Sequence, residues 1–204
     1  MNSSPSGREI WLAAGGGWRR SLILAGAFAA VLAVGLRVWD GAWMARPYRL
    51  LVSSAAAGNA RLVEVLLRLG LDPNREVTGS ALPLFAAAGA GQRHTVALLL
   101  DRGADVNHRT KLGNTALHAA LNAEHLDVVG DLIARGADVE IPGEDGPPLL
   151  AAVRSCRLEA AELLIHSGAN PDAPSPMGTP RHYSEQSGCG PIRAMFHDAT
   201  TQKR

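Results

Sequence analysis

The chain has 204 residues, 47% of them apolar and 19% charged, with a net charge of +1. That balance is globular with some membrane character, and it excludes the clustered basic face that a nucleic-acid backbone demands. Two cysteines, Cys156 and Cys189, allow one disulfide at most and exclude a cysteine-built zinc site. Arginine outnumbers lysine 18 to 2, which we read as codon usage in a GC-rich, bacterial genome rather than as chemistry.

Residues 1–18 form a Gly- and Ser-containing leader with no helical period. The composition then shifts. Residues 21–36, SLILAGAFAAVLAVGL, carry no charge and are bounded by Arg19-Arg20 before and Arg37 after. Eight of these sixteen residues are Leu, Ile, Val or Phe, favouring a bilayer by about 3 to 4 kcal/mol on an insertion scale. All four tryptophans flank the run, Trp11 and Trp18 before it, Trp39 and Trp43 after it. At about 1.5 Å per helical residue, Trp18 to Trp39 covers roughly 31 Å, the thickness of a hydrocarbon core with an aromatic belt at each surface. Residues 19–43 are therefore expected to form a single transmembrane signal anchor.

A cleaved export signal is the rival, because Arg19-Arg20-Ser21-Leu22-Ile23 is similar to a twin-arginine motif. The small-x-small pair Ala33-Val34-Gly35 falls inside the apolar run, and no good cleavage site follows it. A buried core helix would leave the arginine pair and the paired tryptophans without a role. The positive-inside count ties, with Arg8, Arg19 and Arg20 before the span and Arg37, Arg46 and Arg49 after it. The arginine pair abutting the run, as in signal anchors, leads us to expect the bacterial inner membrane, with the rest of the chain on the periplasmic side. Ala25, Ala29 and Ala33 form a small-xxx-small stripe through which two spans could pack as a weak dimer.

Beyond residue 46 a repeat takes over. Gly70, Gly103, Gly136 and Gly168 each close an apolar helical stretch, at intervals of 33, 33 and 32 residues. Leu62, Val63, Leu66 and Leu67 line one helical face, and so do Val96, Leu99 and Leu100, then Val128, Val129, Leu132 and Ile133, then Leu163, Leu164 and Ile165. The small residues Ala87, Ala88, Ala119, Ala120, Ala151 and Ala152 mark where neighbouring helices lie close. No single unit can bury its apolar face alone, so stacked neighbours must supply the core.

Residues 112–140 hold the fullest copy, with Gly113, Thr115, Leu117, His118, Ala120, His125, Val128, Val129, Leu132, Ile133, Gly136, Ala137, Asp138 and Val139 in the pattern G-x-T-P-L-H, V-V-x-x-L-L, G-A-D-V. This resembles an ankyrin repeat. The resemblance implies an all-α solenoid of about five helix-turn-helix repeats after a single transmembrane helix. Its domain spans residues 46–197, divided as 46–74, 75–107, 108–140, 141–172 and 173–197, with a polar tail at 198–204. Repeat one reads as an amino-terminal cap, with residues 40–48 as linker and Pro47 at the start of its first helix. In repeat two, Leu82 and Phe85 replace the family's Thr and His. In repeat three, Glu124 stands in the family's turn-glycine position and is expected to hold a left-handed backbone, while Gly130 weakens the second helix by about 1 kcal/mol against alanine. Repeat four has Pro147-Pro148-Leu149-Leu150 for T-P-L-H and Cys156 for the turn glycine. Repeat five starts with Thr179-Pro180 and His182, then dissolves into Gly188-Cys189-Gly190-Pro191, as a carboxy-terminal cap would.

Chemistry is sparse. The sequence holds no H-E-x-x-H, no G-x-S-x-G elbow and no Walker motif, and Gly89-Ala90-Gly91 lacks the third glycine and the preceding strand of a phosphate loop. We expect no enzyme, no cofactor and no metal. By the resemblance, His118 and His182 bond backbone and fix the loop between repeats. His94, His108, His166 and His197 read as solvated. Adjacent turns about 10 Å apart would leave Cys156 and Cys189 as free thiols, since a disulfide needs Cα atoms within about 7 Å.

The resemblance implies a protein partner, bound by loop tips and by the face of the first helices. Carried over by position, the candidates are Thr78, Arg109, Lys111, Leu112, Asn114, Asn122, Glu144, Asp145, Arg154, Met177 and Gln186. Lys111, Leu112 and Met177 are the sharper ones, because a long or apolar side chain at an exposed tip is not needed for packing. The expected function is therefore a membrane-tethered module for protein-protein interaction. An inhibitor or immunity protein neutralising a toxin or enzyme at the membrane is the alternative, and an exported enzyme or redox protein using the two cysteines is a further one.

Overall fold

The computed structural model describes residues 42–76 and 82–201. The chain divides at Arg46, and the unit Pro47–Arg204 holds the repeats. Ten α-helices run through the described residues: α1 Ala42–Ala56, α2 Ala60–Arg68, α3 Pro83–Gly89, α4 Arg93–Asp101, α5 Ala116–Asn122, α6 Leu126–Ala134, α7 Pro148–Arg154, α8 Leu158–His166, α9 Pro180–Gln186 and α10 Gly190–Thr201. They pair as five helix-turn-helix units. The first helices stack as α3, α5, α7 and α9, while α2, α4 and α6 stack behind them and α8 meets α10.

Helices of seven and nine residues are too short to stand alone in water, so packing between repeats must hold them. The side chains at the expected spacings supply it. Val63, Val96, Leu99, Val128, Val129, Leu132 and Leu164 are all buried, joined by Leu51, Leu117, Leu149 and Ile192. Ala87, Ala88, Ala119, Ala120 and Ala152 sit buried at the close approach of the first helices, and Ala151 is half-buried.

The closing glycines work as their spacing predicts. Gly70, Gly103, Gly136 and Gly168 have φ between 85° and 93°, and the next residue bonds back into the helix, as Ala104 N–H does to Leu99 O at 2.9 Å. An asparagine ladder then ties one repeat to the next. The Asn74 amide donates to Gly103 O and its Oδ1 accepts from Asp105 N–H, and Asn107 does the same to Gly136 O and Asp138 N–H. At the end of repeat three Glu140 takes over the acceptor half, receiving Asn170 N–H at 2.7 Å.

The structure departs from expectation at the first helix. It begins at Ala42, and Pro47 lies inside it rather than at its start. Pro47 is the sixth residue, so its missing N–H removes a single bond beyond the first turn, whose donors have no intrahelical partner in any case. Among the described residues no helix is long and apolar enough to cross a membrane. The expected span at residues 21–36, its alanine stripe and the leader lie outside the described residues.

Candidate functional site

The tip of repeat three is built by its own backbone and braced by the next repeat. In repeat three Thr110 N–H bonds Asn114 O at 2.8 Å and Gly113 N–H bonds Thr110 O at 2.8 Å, closing a tight loop. Arg109 Nη2 donates to Pro142 O at 3.0 Å and its Nε to Gly113 O at 3.3 Å, so one guanidinium joins two tips. Asn114 Oδ1 accepts Glu144 N–H at 3.0 Å. The tip of repeat four is closed by Gly143 and Gly146, which exchange backbone hydrogen bonds.

Behind the tip of repeat three sits His118. Its Nδ1 accepts Thr115 N–H at 3.2 Å in a reciprocal capping box, and its ring lies against the backbone of Gly143. Burial pushes its pKa down, opposed in part by the nearby Gly146 carbonyl, which favours the protonated ring. His182, expected to play the same part, does not. Its side chain is exposed and meets Gln186 at 2.9 Å, and among the described residues no further tip lies over it.

The sequence-chosen residues therefore divide in two. Arg109 and Asn114 brace neighbouring tips. Arg154 and Asp145 pair with each other at 2.9 Å, and the Asp145 hydrogen bond holds the Arg154 pKa up. Gln186 is engaged by His182, and Asn122 lends its carbonyl to Arg157 at 3.3 Å while its side chain is exposed. Lys111, Leu112, Glu144 and Met177 are left pointing to solvent, Leu112 at 57% and Met177 at 47% exposure. Thr78 lies outside the described residues.

On the opposite edge, the helix-to-helix turns form a column that the sequence reading took singly. Gly58, Gly91, Glu124, Cys156 and Gly188 all have positive φ, between 53° and 72°. The residue opening the second helix of each following repeat lies over the preceding turn. Gln92 covers Gly58, and the His125 ring would stand 2.7 Å from a Cβ added to Gly91. Arg157 pairs with Glu124 at 2.9 Å and donates to Leu121 O. In that same position Cys189 bonds Cys156, with Cα atoms 5.9 Å apart.

This corrects the expectation of free thiols. The 10 Å estimate applies to helix axes, whereas the residue opening a second helix reaches back onto the neighbouring turn. Cys156 is exposed and Cys189 buried. Neither the disulfide nor Arg157 was found by reading motifs one repeat at a time, but aligning the turns by period puts each contact 33 or 34 residues apart.

Between α9 and α10 lies a cleft of about 360 Å³ lined by Asp172, Arg181, Ser184, Glu185, Arg193, Phe196 and His197. Arg181 is already held by Asp172 at 2.8 Å and lies over the Phe196 ring. Among the described residues no three His, Cys, Asp or Glu side chains gather as metal ligands.

Comparison with known families agrees with this geometry. Residues 50–143 match the family described as ankyrin repeats in three copies, and residues 147–176 match a single ankyrin repeat. The chain belongs to the ankyrin-repeat family. The two matches take in more than half of the sequence and cover the first four repeats, while the ankyrin period continues structurally through α9 and α10. No curated protein matches the sequence. Ankyrin repeats are protein-protein interaction modules, so the braced tips are the natural place to look for a partner's footprint.

Proposed function

We propose that the chain is a non-catalytic, membrane-tethered ankyrin module that captures a protein partner on the periplasmic side of a bacterial inner membrane. The observation that carries the binding part is the contrast at the tips. The polar side chains Arg109, Asn114, Asp145 and Arg154 are engaged within the domain, while Leu112 and Met177 stand out from it on loops that are already fixed. An apolar anchor on a fixed loop loses little conformational freedom on binding, which is the property of an interface hot spot.

The outward orientation is supported by the disulfide, because such bonds persist in oxidising compartments and are rare where thioredoxin and glutathione keep thiols reduced. The tether itself rests on the apolar run at residues 21–36 and its tryptophan flanks.

Carboxy-terminal fusions of the full chain to alkaline phosphatase and to green fluorescent protein test the topology. Phosphatase activity in the membrane fraction is the expected result, and fluorescence without phosphatase activity would reverse the orientation. Photo-crosslinkers placed at Leu112 and at Met177 test the surface. Both should capture the same protein, and capture should be lost in a Leu112→Asp, Met177→Asp variant that keeps its helical signal. Capture undiminished in that variant would move the interface off the tips.

A further inference from the structure

The last repeat is fastened differently from the others. Gln92 and His125 lie over the preceding turns without a covalent bond, and Arg157 holds its turn through Glu124 and Leu121 O, whereas α10 is fastened to the turn of repeat four by the bond from Cys189 to Cys156. The two halves of that bond stand in opposite surroundings. Cys156 is exposed on a turn held at φ 53°, whereas Cys189 is 4% exposed in the same apolar core as Ile192 and Phe196. Cys189 also stands immediately before α10, where its carbonyl accepts Arg193 N–H at 3.0 Å as the first bond of that helix.

Thiol–disulfide exchange is a displacement at sulfur, with the attacking thiolate in line with the bond that breaks. An approach to the Cys189 sulfur has to pass through packed side chains. An approach to the Cys156 sulfur comes from the exposed turn and drives Cys189 off as a thiolate at the positive end of α10, where the helix dipole offsets part of the penalty of its burial. We propose that Cys156 is the site at which a dithiol oxidoreductase opens the last repeat. The incoming thiolate forms a bond to Cys156 Sγ as the Cys156–Cys189 bond breaks, and Cys189 Sγ leaves with the electron pair and takes a proton from water. The second thiol of the reductant, as its thiolate, then displaces Cys156, so that the reductant is oxidised by two electrons and this chain is reduced by two. The same steps in reverse, with the oxidised dithiol, close the repeat again.

Arg181 carries the change to the tip. Its guanidinium donates to Phe196 O on α10 at 3.2 Å and to the Asp172 carboxylate at 2.8 Å, and its backbone N–H donates to Pro171 O at 2.9 Å. One residue of α9 thus joins the helix that the disulfide fastens to the loop that carries Met177. The oxidation state of the cysteines sets whether that loop is fixed, and the consequence for partner capture rests on the tip reading above.

The full chain in detergent micelles, treated with reduced glutathione in the absence of denaturant and quenched with N-ethylmaleimide, tests the site. Early in the reaction, peptide mass spectrometry should find glutathione on Cys156 and maleimide on Cys189, at a rate that low urea does not change. Glutathione on Cys189, or a rate that climbs with urea in step with unfolding, would overturn the proposal. Once reduction is complete, hydrogen exchange at residues 173–179 should be several-fold faster, and Arg181→Ala should quicken it in the oxidised chain while glutathione still adds to Cys156. Native exchange at 173–179 in either chain would overturn the link from disulfide to tip. No step needs a partner, so the tip reading can fail while this site stands.

Discussion

Reducing the Cys156–Cys189 bond should loosen the last repeat and leave the middle of the stack as it is. The bond closes a segment of 33 residues, for which the chain-entropy relation gives about 3.7 kcal/mol at room temperature. In a solenoid each repeat is held mainly by its neighbour, so that loss falls on α9 and α10. These helices have little else to hold them. Pro180 and Ser184 are the buried residues of α9, Ile192 and Phe196 are those among the described side chains of α10, and Cys189 is buried just before α10 begins. At about 1.4 kcal/mol per tenfold, opening of the last repeat should become several-hundred-fold more frequent. Hydrogen exchange read by mass spectrometry on oxidised and reduced full chain measures this directly. Amides of α9 and α10 should lose protection by that factor while α5 and α6 keep theirs. Unchanged exchange in α9 and α10, or a loss spread evenly over α3 to α6, would refute the reasoning. A second comparison guards against a trivial effect of the substitution. Cys156 holds φ of 53°, so Cys156→Gly relieves a left-handed strain of about 1 kcal/mol that Cys156→Ser retains. The glycine variant should be the more stable of the two.

Three further outcomes follow from the same structure. Gly130→Ala places its methyl in open space inside α6 and should stabilise by about 1 kcal/mol, whereas Gly91→Ala, at φ 69° and against the His125 ring, should destabilise by about 2 kcal/mol or more; urea unfolding of each variant would show whether the signs are opposite. His118 has a folded pKa below its ordinary value of 6.5 because it is buried, so the unfolded chain binds the extra proton first. Its contribution should be complete above about pH 6.5 and fall as pH drops below that. A urea midpoint that declines no more in the native chain than in His118→Gln would contradict this. Arg109→Ala removes the guanidinium that joins two tips and should cost about 1 to 3 kcal/mol, with faster exchange confined to residues 109–114 and 142–146. Equal exchange in both chains would mean that the tips are braced by the backbone alone.

Much of the fold was legible in the chain. The 33-residue period, the closing glycines and the apolar faces of the second helices follow from local chemistry, because a left-handed helix end favours glycine and a nine-residue helix shows its buried stripe in its spacing. Glu124 at φ 64° was likewise readable, since the period alone placed it on the turn. His182 was read from its motif and proved different. Its role depends on a following tip, and none lies over it among the described residues.

Among the binding candidates, the sequence by itself determined which residues sit at tips and on first helices. It could not say which of them the fold would use. Arg109, Asn114, Asp145 and Arg154 are polar groups whose partners lie a repeat away or across a tip, and only stacking brings those partners within hydrogen-bonding distance. Leu112 and Met177 stay exposed because nothing apolar is carried past them. The Cys156–Cys189 bond was decided in the same way. Period and composition fix what each repeat is, whereas contacts 33 or 34 residues apart exist only once the repeats are stacked.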